Sequence, residues 1–251
     1  MQLDVLGAGP AYSNRPDSIG AAYLLKSATS TLLLDLGQGA FARLASQIEP
    51  SDLDAVAISH LHPDHFVDLV PLRHYLRYEF DPPRRARVIA PRGVDARIDA
   101  LLEEPGFTAA ALDVEEQRPG TRLVGEFEVE SVRVRHTEDS YAMRVSDVAA
   151  GLAGAGFVYS GDCGDANDLV PIIRRGDTLL CEVSFGTAAV PDGAEHLNAV
   201  EVAKVATSTG AGCVLLTHLQ IGFDPEETIA AVREAYSGPV RFVWPGDRLE
   251  L

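Results

Sequence analysis

The chain has 251 residues, 46% of them apolar, and a formal net charge of −16 from 21 basic and 37 acidic side chains. That is ample for a buried core, and so acidic a total disfavours a broad nucleic-acid footprint, which needs clustered Lys and Arg. The three cysteines, Cys163, Cys181 and Cys213, include no Cys-x-x-Cys pair, which argues against a disulfide framework or a thiolate zinc site.

In chain order, a strand from Leu3 to Leu6 enters a turn at Gly7-Ala8-Gly9-Pro10. Ala21 to Lys26 and Thr31 to Leu34 pattern as a hairpin, ended by Asp35-Leu36-Gly37-Gln38-Gly39 and followed by a short helix from Phe41 to Ile48. The apolar run Ala55 to Ser59 reads as a buried strand. A helix from Pro63 to about Tyr78 follows, with a kink expected at Pro71. Arg87 to Ala90 reads as a strand and Val94 to Leu102 as a helix. The cluster Arg84, Arg85 and Arg87 follows Pro82-Pro83 and is expected in a solvated loop.

Arg122 to Val124, Phe127 to Arg135 and Tyr141 to Val145 are rich in β-formers. In Val132-Arg133-Val134-Arg135-His136 the valines and His136 share the inward face, and the phase breaks near Ser131, where a bulge or bend is expected. The last third alternates strands at Gly156 to Ser160, Thr178 to Cys181, Cys213 to Thr217 and Val240 to Val243 with helices at Asp165 to Arg174, Leu197 to Ser208 and Pro225 to Tyr236. Strands followed by helices in both halves suggest two packed sheets with helices outside. No Pro-, Gly- and Ser-rich linker interrupts the pattern, so residues 1–251 are expected to form one domain.

Cys181, Cys213 and Trp244 are expected in the core, and His74 in packing or solvent. The uncharged runs Val148 to Gly161 and Val205 to Phe223 are broken by Gly and polar residues, so neither reads as a membrane helix. The first residues form a strand without a basic-then-apolar signal, and the expected compartment is the cytoplasm.

The densest chemistry lies in His60-Leu61-His62-Pro63-Asp64-His65, three imidazoles and a carboxylate in six residues at the end of a buried strand. These ligand types suit zinc, and also manganese or iron. His60 and His62, two apart, can reach one ion from a tight turn. Pro63 suits the first position of a helix, which places Asp64 and His65 in its first turn beside a second ion. His136, Asp162 and His218 each stand just past an apolar run, as His60 does. A single histidine at a strand end is usually structural; the repeated placement points to a shared site.

His60-Leu61-His62-Pro63-Asp64-His65, then His136, Gly161-Asp162 and Thr217-His218-Leu219, resemble in order the motifs of the metallo-β-lactamase superfamily. The resemblance covers nearly the whole chain and implies an α/β fold, a four-layer αββα sandwich with a binuclear metal site on one edge. By motif position it implies that His60, His62 and His136 hold one divalent ion, that Asp64, His65 and His218 hold the other, and that Asp162 bridges them. Zinc is the first expectation for both ions, with manganese or iron open. Asp35 resembles a family element behind the site and is read as orienting a ligand. Two cations about 3.5–4 Å apart can clamp an oxyanion and acidify a shared water, whose hydroxide attacks phosphorus or a carbonyl carbon. Asp64 can also orient that nucleophile.

Glu182 in Leu180-Cys181-Glu182-Val183-Ser184 and His196 in Glu195-His196-Leu197-Asn198 resemble the acid–imidazole pair of ribonuclease Z-like phosphodiesterases. The resemblance implies that His196 protonates the leaving alkoxide and that Glu182 orients it. Three features depart from that group. Leu197-Asn198 follows the histidine instead of a small hydroxyl residue. Leu219-Gln220 follows Thr217-His218 instead of Arg. Between His136 and Asp162 there is no room for a long substrate arm. Together with the acidic total, these favour a small-molecule phosphodiester, such as a cyclic nucleotide or cyclic ribose phosphate, over transfer RNA. A lactonase or thioesterase of the same superfamily, or a metal-binding accessory protein without turnover, stays open. A homodimer formed through an edge strand is a further expectation.

Overall fold

Leu, Val, Ile and Ala fill both faces of the central strands, so each sheet must be covered twice. In the computed structural model, which describes residues 1–15, 17–148 and 154–251, this is met by two seven-stranded sheets packed face to face with helices outside. The first sheet comprises β1 (Gln2–Gly7), β2 (Ala22–Lys26), β3 (Thr31–Leu34), β4 (Ala55–Ala57), β5 (Ala86–Ala90), β6 (Leu112–Glu116) and β14 (Arg248–Glu250), in the order β14-β1-β2-β3-β4-β5-β6. The second comprises β7 (Gly120–Val124), β8 (Phe127–Arg133), β9 (Tyr141–Asp147), β10 (Phe157–Tyr159), β11 (Thr178–Glu182), β12 (Cys213–Thr217) and β13 (Val240–Phe242), in the order β13-β12-β11-β10-β9-β8-β7.

Three apolar clusters mark the three interfaces. Val5, Tyr23, Leu34 and Ala57 meet Phe127, Val145, Tyr159 and Leu180 between the sheets. Leu24, Val56, Ile58 and Val88 face outward onto α1 (Ala40–Gln47), α3 (Leu69–Tyr78) and α4 (Val94–Leu101). Val158, Leu179, Cys181 and Val214 face outward onto α5 (Ala199–Thr209) and α6 (Pro225–Arg233). The layering is the expected αββα sandwich.

Each sheet has a parallel half. β3 through β6 run parallel to one another, as do β10 through β13, while β8 reaches the same direction through two antiparallel pairings with β9. The carboxyl ends of β3, β4, β8, β10, β11 and β12 therefore carry Asp35, His60, His136, Asp162, Glu182 and His218. Ligand sites form where such strand ends open into loops.

Several expectations need correction. The helix expected from Pro63 to Tyr78 is two helices, α2 (Pro63–Phe66) and α3, and the break falls at Val67 and Asp68 rather than at Pro71. The Asp68 carboxylate accepts from Phe41 N at 2.8 Å, which ties the break to α1. Pro71 lies in the first turn of α3, where a missing N–H costs nothing. The helix expected from Asp165 to Arg174 is only a 3₁₀ turn at Ala166–Leu169. Asp165 caps Asn167 N locally and Pro171 cannot continue the ladder. The expected bulge at Ser131 is absent, because β8 pairs with β9 in unbroken register from Phe127 to Arg133. The phase changes because both faces of β8 are covered: Phe127 and Val129 point between the sheets, and Val132 and Val134 point toward the helical layer. Of the arginine cluster, Arg84 and Arg85 precede β5, while Arg87 lies in it, as the strand expected from Arg87 to Ala90 has it, and pairs with Glu115 on β6. Cys213 is half-buried, and Trp244 is 41% exposed rather than in the core. Residues 149–153, within one of the two uncharged runs, lie outside the described residues. Among the described residues, no helix is long and apolar enough to cross a membrane.

Candidate metal centre and active site

β4 delivers the motif. Its backbone is held from below by Ala21 N to Asp64 O at 2.8 Å and Leu36 N to His65 O at 2.7 Å. Gly37 is required for that approach, since a Cβ there would lie 1.9 Å from Asp64 O. His60, Asp64 and His65 are buried, while His62 stands at the opening. Asp35 and His218 adopt left-handed backbone conformations, with φ of 58° and 60°. Non-glycine residues rarely do so, and such strain collects at functional sites.

The donors fall into two adjoining groups. His60, His62, His136 and Asp162 form one and Asp64, His65 and His218 the other, while Asp162, His196 and His218 make a third set that overlaps both. In the first, His62 Nδ1 lies 3.1 Å from His60 Nε2 and 3.0 Å from His136 Nε2. Asp162 Oδ2 lies 3.8 Å from His60 Nε2 and 3.6 Å from His136 Nε2. In the second, Asp64 Oδ2 is 3.5 Å from His65 Nε2 and 3.2 Å from His218 Nε2. Asp162 belongs to both neighbourhoods, with Oδ1 3.4 Å from His65 Nε2 and Oδ2 3.5 Å from His218 Nε2.

The far nitrogens of these rings are already used. Nδ1 of His136 donates to Glu195 O at 2.7 Å, and Nδ1 of His65 to Asp35 Oδ2 at 2.7 Å. Nδ1 of His60 lies 3.1 Å from Ser59 Oγ, and Nδ1 of His218 3.0 Å from Ser184 Oγ. The Nε2 lone pairs of His60, His136, His65 and His218 are thereby turned toward the centre. Asp64 Oδ1, Asp162 Oδ1 and His65 Nε2 are buried without a hydrogen-bond partner. Such atoms are costly unless something binds them. Donor atoms 3.0–3.8 Å apart in the first group suit bonds of about 2.0–2.2 Å to a common centre. The residues fit divalent ions.

The electrostatics differ between the two groups: burial opposes the imidazolium of His65 and of His218, but the carboxylates of Asp162, Asp35 and Asp64 raise both pKa values. Burial, reinforced by neighbouring His65, pushes the His60 pKa well below its ordinary value, so the ring is a neutral donor. Burial alone would raise the Asp162 carboxyl, but His218, His65 and His60 pull it well below the usual range. Burial likewise opposes ionisation of Asp64, and the hydrogen bond and charges of His218 and His65 outweigh it.

Beside the donors stands the second tier. His196 Nδ1 is 2.9 Å from Glu182 Oε1 and 3.9 Å from Asp162 Oδ2. Burial disfavours the imidazolium, but the hydrogen bond and charge of Glu182 raise the His196 pKa to about 9. Glu182 is itself held by Cys163 N at 3.0 Å and by Ser184 N at 3.0 Å. His196 does not open a helix. Asn198 caps α5 in a reciprocal box with Glu201, leaving His196 in the preceding loop. His196, His62, Asp64, Asp162 and His218 line a cavity of about 310 Å³ whose mouth carries Tyr12 and Gln220.

Sequence reading had missed two hydroxyls. Ser59 joins His60 to Asp35, and Ser184 joins Glu182, His196 and His218. Each stands beside a residue already singled out, which was the available signal. Arg144 is buried against Asp177, away from the site. Arg133 and Arg135 point outward and pair with Asp139, Asp165 and Asp168.

Fold and donor set together define a metallo-hydrolase of the beta-lactamase superfamily. The model of the beta-lactamase superfamily domain matches residues 31–219, and the chain belongs to that family. The uncharacterised protein Rv1339 of Mycobacterium tuberculosis is 30% identical over 260 residues, spanning all of this chain and 92% of its own. The crystal structure of the metallo-beta-lactamase fold protein YhfI from Bacillus subtilis superposes with a TM-score of 0.87 at 23% identity, covering 100% of this chain and 99% of that one. Similarity reaches the ribonuclease Z branch: ribonuclease Z of Myxococcus xanthus is 27% identical over 309 residues, covering 100% of this chain and 98% of its own.

Proposed function

We propose that the protein is a phosphodiesterase that uses two divalent metal ions, zinc foremost, to hydrolyse a compact phosphodiester such as a cyclic nucleotide or cyclic ribose phosphate. His60, His62, His136 and Asp162 would hold one ion; Asp64, His65 and His218, with Asp162 shared, would hold the other. Bound there, the ions supply Lewis acidity toward the phosphoryl oxygens and toward the attacking water. Asp35 and Ser59 keep the imidazoles in the tautomer that presents Nε2.

The observation that carries the reading is the His196–Glu182 pair at 2.9 Å, on the wall of the same cavity as the metal-type donors. With Nδ1 engaged by Glu182, Nε2 of His196 is the atom that can serve a ligand. In the reaction, water adds to phosphorus, the ester P–O bond breaks, and the departing oxygen takes its proton from His196. From a cyclic phosphodiester the product is one molecule, which carries both the phosphomonoester and the freed hydroxyl. The kinship with a protein named ribonuclease Z supports phosphodiester chemistry. The small cavity and acidic surface favour a small substrate over a polynucleotide.

The test is turnover by protein purified with zinc or manganese, on bis(p-nitrophenyl) phosphate, a model lactone and a thioester. Phosphodiester hydrolysis is expected; on a cyclic nucleotide, whose alkoxide leaving group needs the proton, it falls about 10²–10⁴-fold in His196→Ala while metal content is kept. Lactone or thioester turnover in its place, or bound metal with no turnover on any of them, overturns the reading.

A further inference from the structure

One strand along the same edge, past β12 toward β13, lies a second cavity of about 300 Å³. It shares His218 with the metal-donor cluster, and its floor is apolar: Leu219, Phe242 and Trp244. Its outer wall is the second half of the Gly9–Ser18 loop, which contributes Arg15, Asp17 and Ser18. The first half of that loop, Pro10 to Tyr12, borders the metal-side cavity. One loop therefore lies against both cavities.

The walls are built. Arg15 donates to Leu219 O at 3.2 Å and to Phe223 O at 3.4 Å, which fastens the loop to the segment after His218. Its guanidinium also stands over the Trp244 ring, 5.7 Å from the centroid. Trp244 stacks on Phe242 with centroids 5.7 Å apart and planes inclined by 28°. The indole is 41% exposed and lines the cavity, one end apolar and the other able to hydrogen-bond. A concave apolar site with a few polar groups on one side is the form of a small-ligand pocket.

We propose that this second cavity is a nucleobase subsite, which takes the heterocycle of a nucleoside phosphodiester whose phosphate lies at the His218 side. Three observations commit the occupant. The volume, about 300 Å³, is ample for a heterocycle. Indole and phenyl walls offer stacking and dispersion to a flat ring. The carboxylate of Asp17, the hydroxyl of Ser18 and the guanidinium of Arg15 offer acceptors and donors of the kind that read a base edge. A purely aliphatic ligand would leave those polar groups unanswered. The inference rests on the phosphodiester reading and extends it from reaction to substrate class.

Trp244 is the only tryptophan in the chain, so binding can be read directly. Adenosine, which has a base but no phosphate, is titrated into the metal-loaded protein while emission is followed, with ribose 5-phosphate as the base-free control. Saturable quenching or a spectral shift with adenosine, half-complete at about 1 mM or below, and none with ribose 5-phosphate, is expected. An unresponsive emission, or an equal response to both, overturns the subsite. The second measurement is the ratio of kcat/KM for a cyclic nucleotide to that for the base-free cyclic ribose phosphate. It is expected to fall about tenfold in Trp244→Ala and in Asp17→Asn, through KM; an unchanged ratio in both overturns the proposal. Adenosine binding does not depend on turnover, and bis(p-nitrophenyl) phosphate has no base. Failure of the subsite and failure of the phosphodiester reading are therefore separable.

Discussion

Two buried charged clusters lie at opposite ends of the second sheet, and they are built on different terms. At one end, just before β11, Asp177 accepts from Arg144 Nε at 2.8 Å and Nη2 at 2.9 Å, from Gly156 N at 2.7 Å and from Arg174 N at 2.8 Å. At the other end, past β10, Asp162 leaves Oδ1 without a hydrogen bond, as do Asp64 Oδ1 and His65 Nε2. The first cluster is saturated by its own chain, which is how a buried ion pair serves structure. The second is left open, which is how a site keeps coordination free for something else. Burial and charge are shared by Asp177 and Asp162; what differs between these two carboxylates is satisfaction.

The contrast breaks most sharply at Asp162. Asp162→Asn removes the carboxylate common to both donor groups, and kcat/KM on bis(p-nitrophenyl) phosphate should fall about 10³-fold or more, with reduced metal content by elemental analysis. Unfolding of the metal-free variant should occur at the same temperature as metal-free wild type or higher, because sites of this kind are held at a cost to stability. A large loss of thermal stability would mean that the open cluster is scaffold after all.

Arg144→Met should do the reverse. It strands Asp177 and should cost about 3–5 kcal/mol in denaturant unfolding, while the folded fraction keeps its activity. The pH dependence has a definite sign. Burial works against the Asp177 carboxylate, but the bonds from Arg144, Arg174 and Gly156 hold its pKa below the ordinary 3.8. Its stabilisation is therefore complete above that value and is lost as pH falls beneath it. Equal stability of variant and wild type at pH 7 would refute the assignment.

The smallest effect sharpens the second tier. Glu182 raises the His196 pKa to about 9, so the proton that His196 carries is present below that pH and lost as pH rises through it. Bound cations move this limb downward in wild type and variant alike, and the difference between them is the readout. Glu182→Gln should shift the alkaline limb of kcat by about 1–2 pH units toward acid. An unmoved limb would leave Glu182 a merely structural carboxylate.

Much of the site was legible because its residues are chemically costly in the places they occupy. Imidazoles and carboxylates just past apolar strands have few structural uses, and His60, His62, Asp64, His65, His136, Asp162 and His218 all converge. What escaped was set by tertiary context. β6 carries Asp113 and Glu115, which are answered by Arg85 and Arg87 across a solvated edge, a pairing that no local pattern announces. β14, three residues long, gains its partner only when the chain returns to β1. Ser59 and Ser184 are ordinary serines until folding sets them between ligands. Trp244 looks like core by composition, yet it borders a cavity that no local pattern encodes.

His60, His62, Asp64 and His65 extend from the first sheet, whereas His136, Asp162 and His218 extend from the second. Each donor group draws on both. A cation lodged in either group thus works as a reversible cross-link, riveting the two halves of the sandwich in a chain whose three thiols are all free. Withdrawing it should loosen the seam along that one edge first, so amide exchange would quicken in the strand-end loops before it does in the strands themselves.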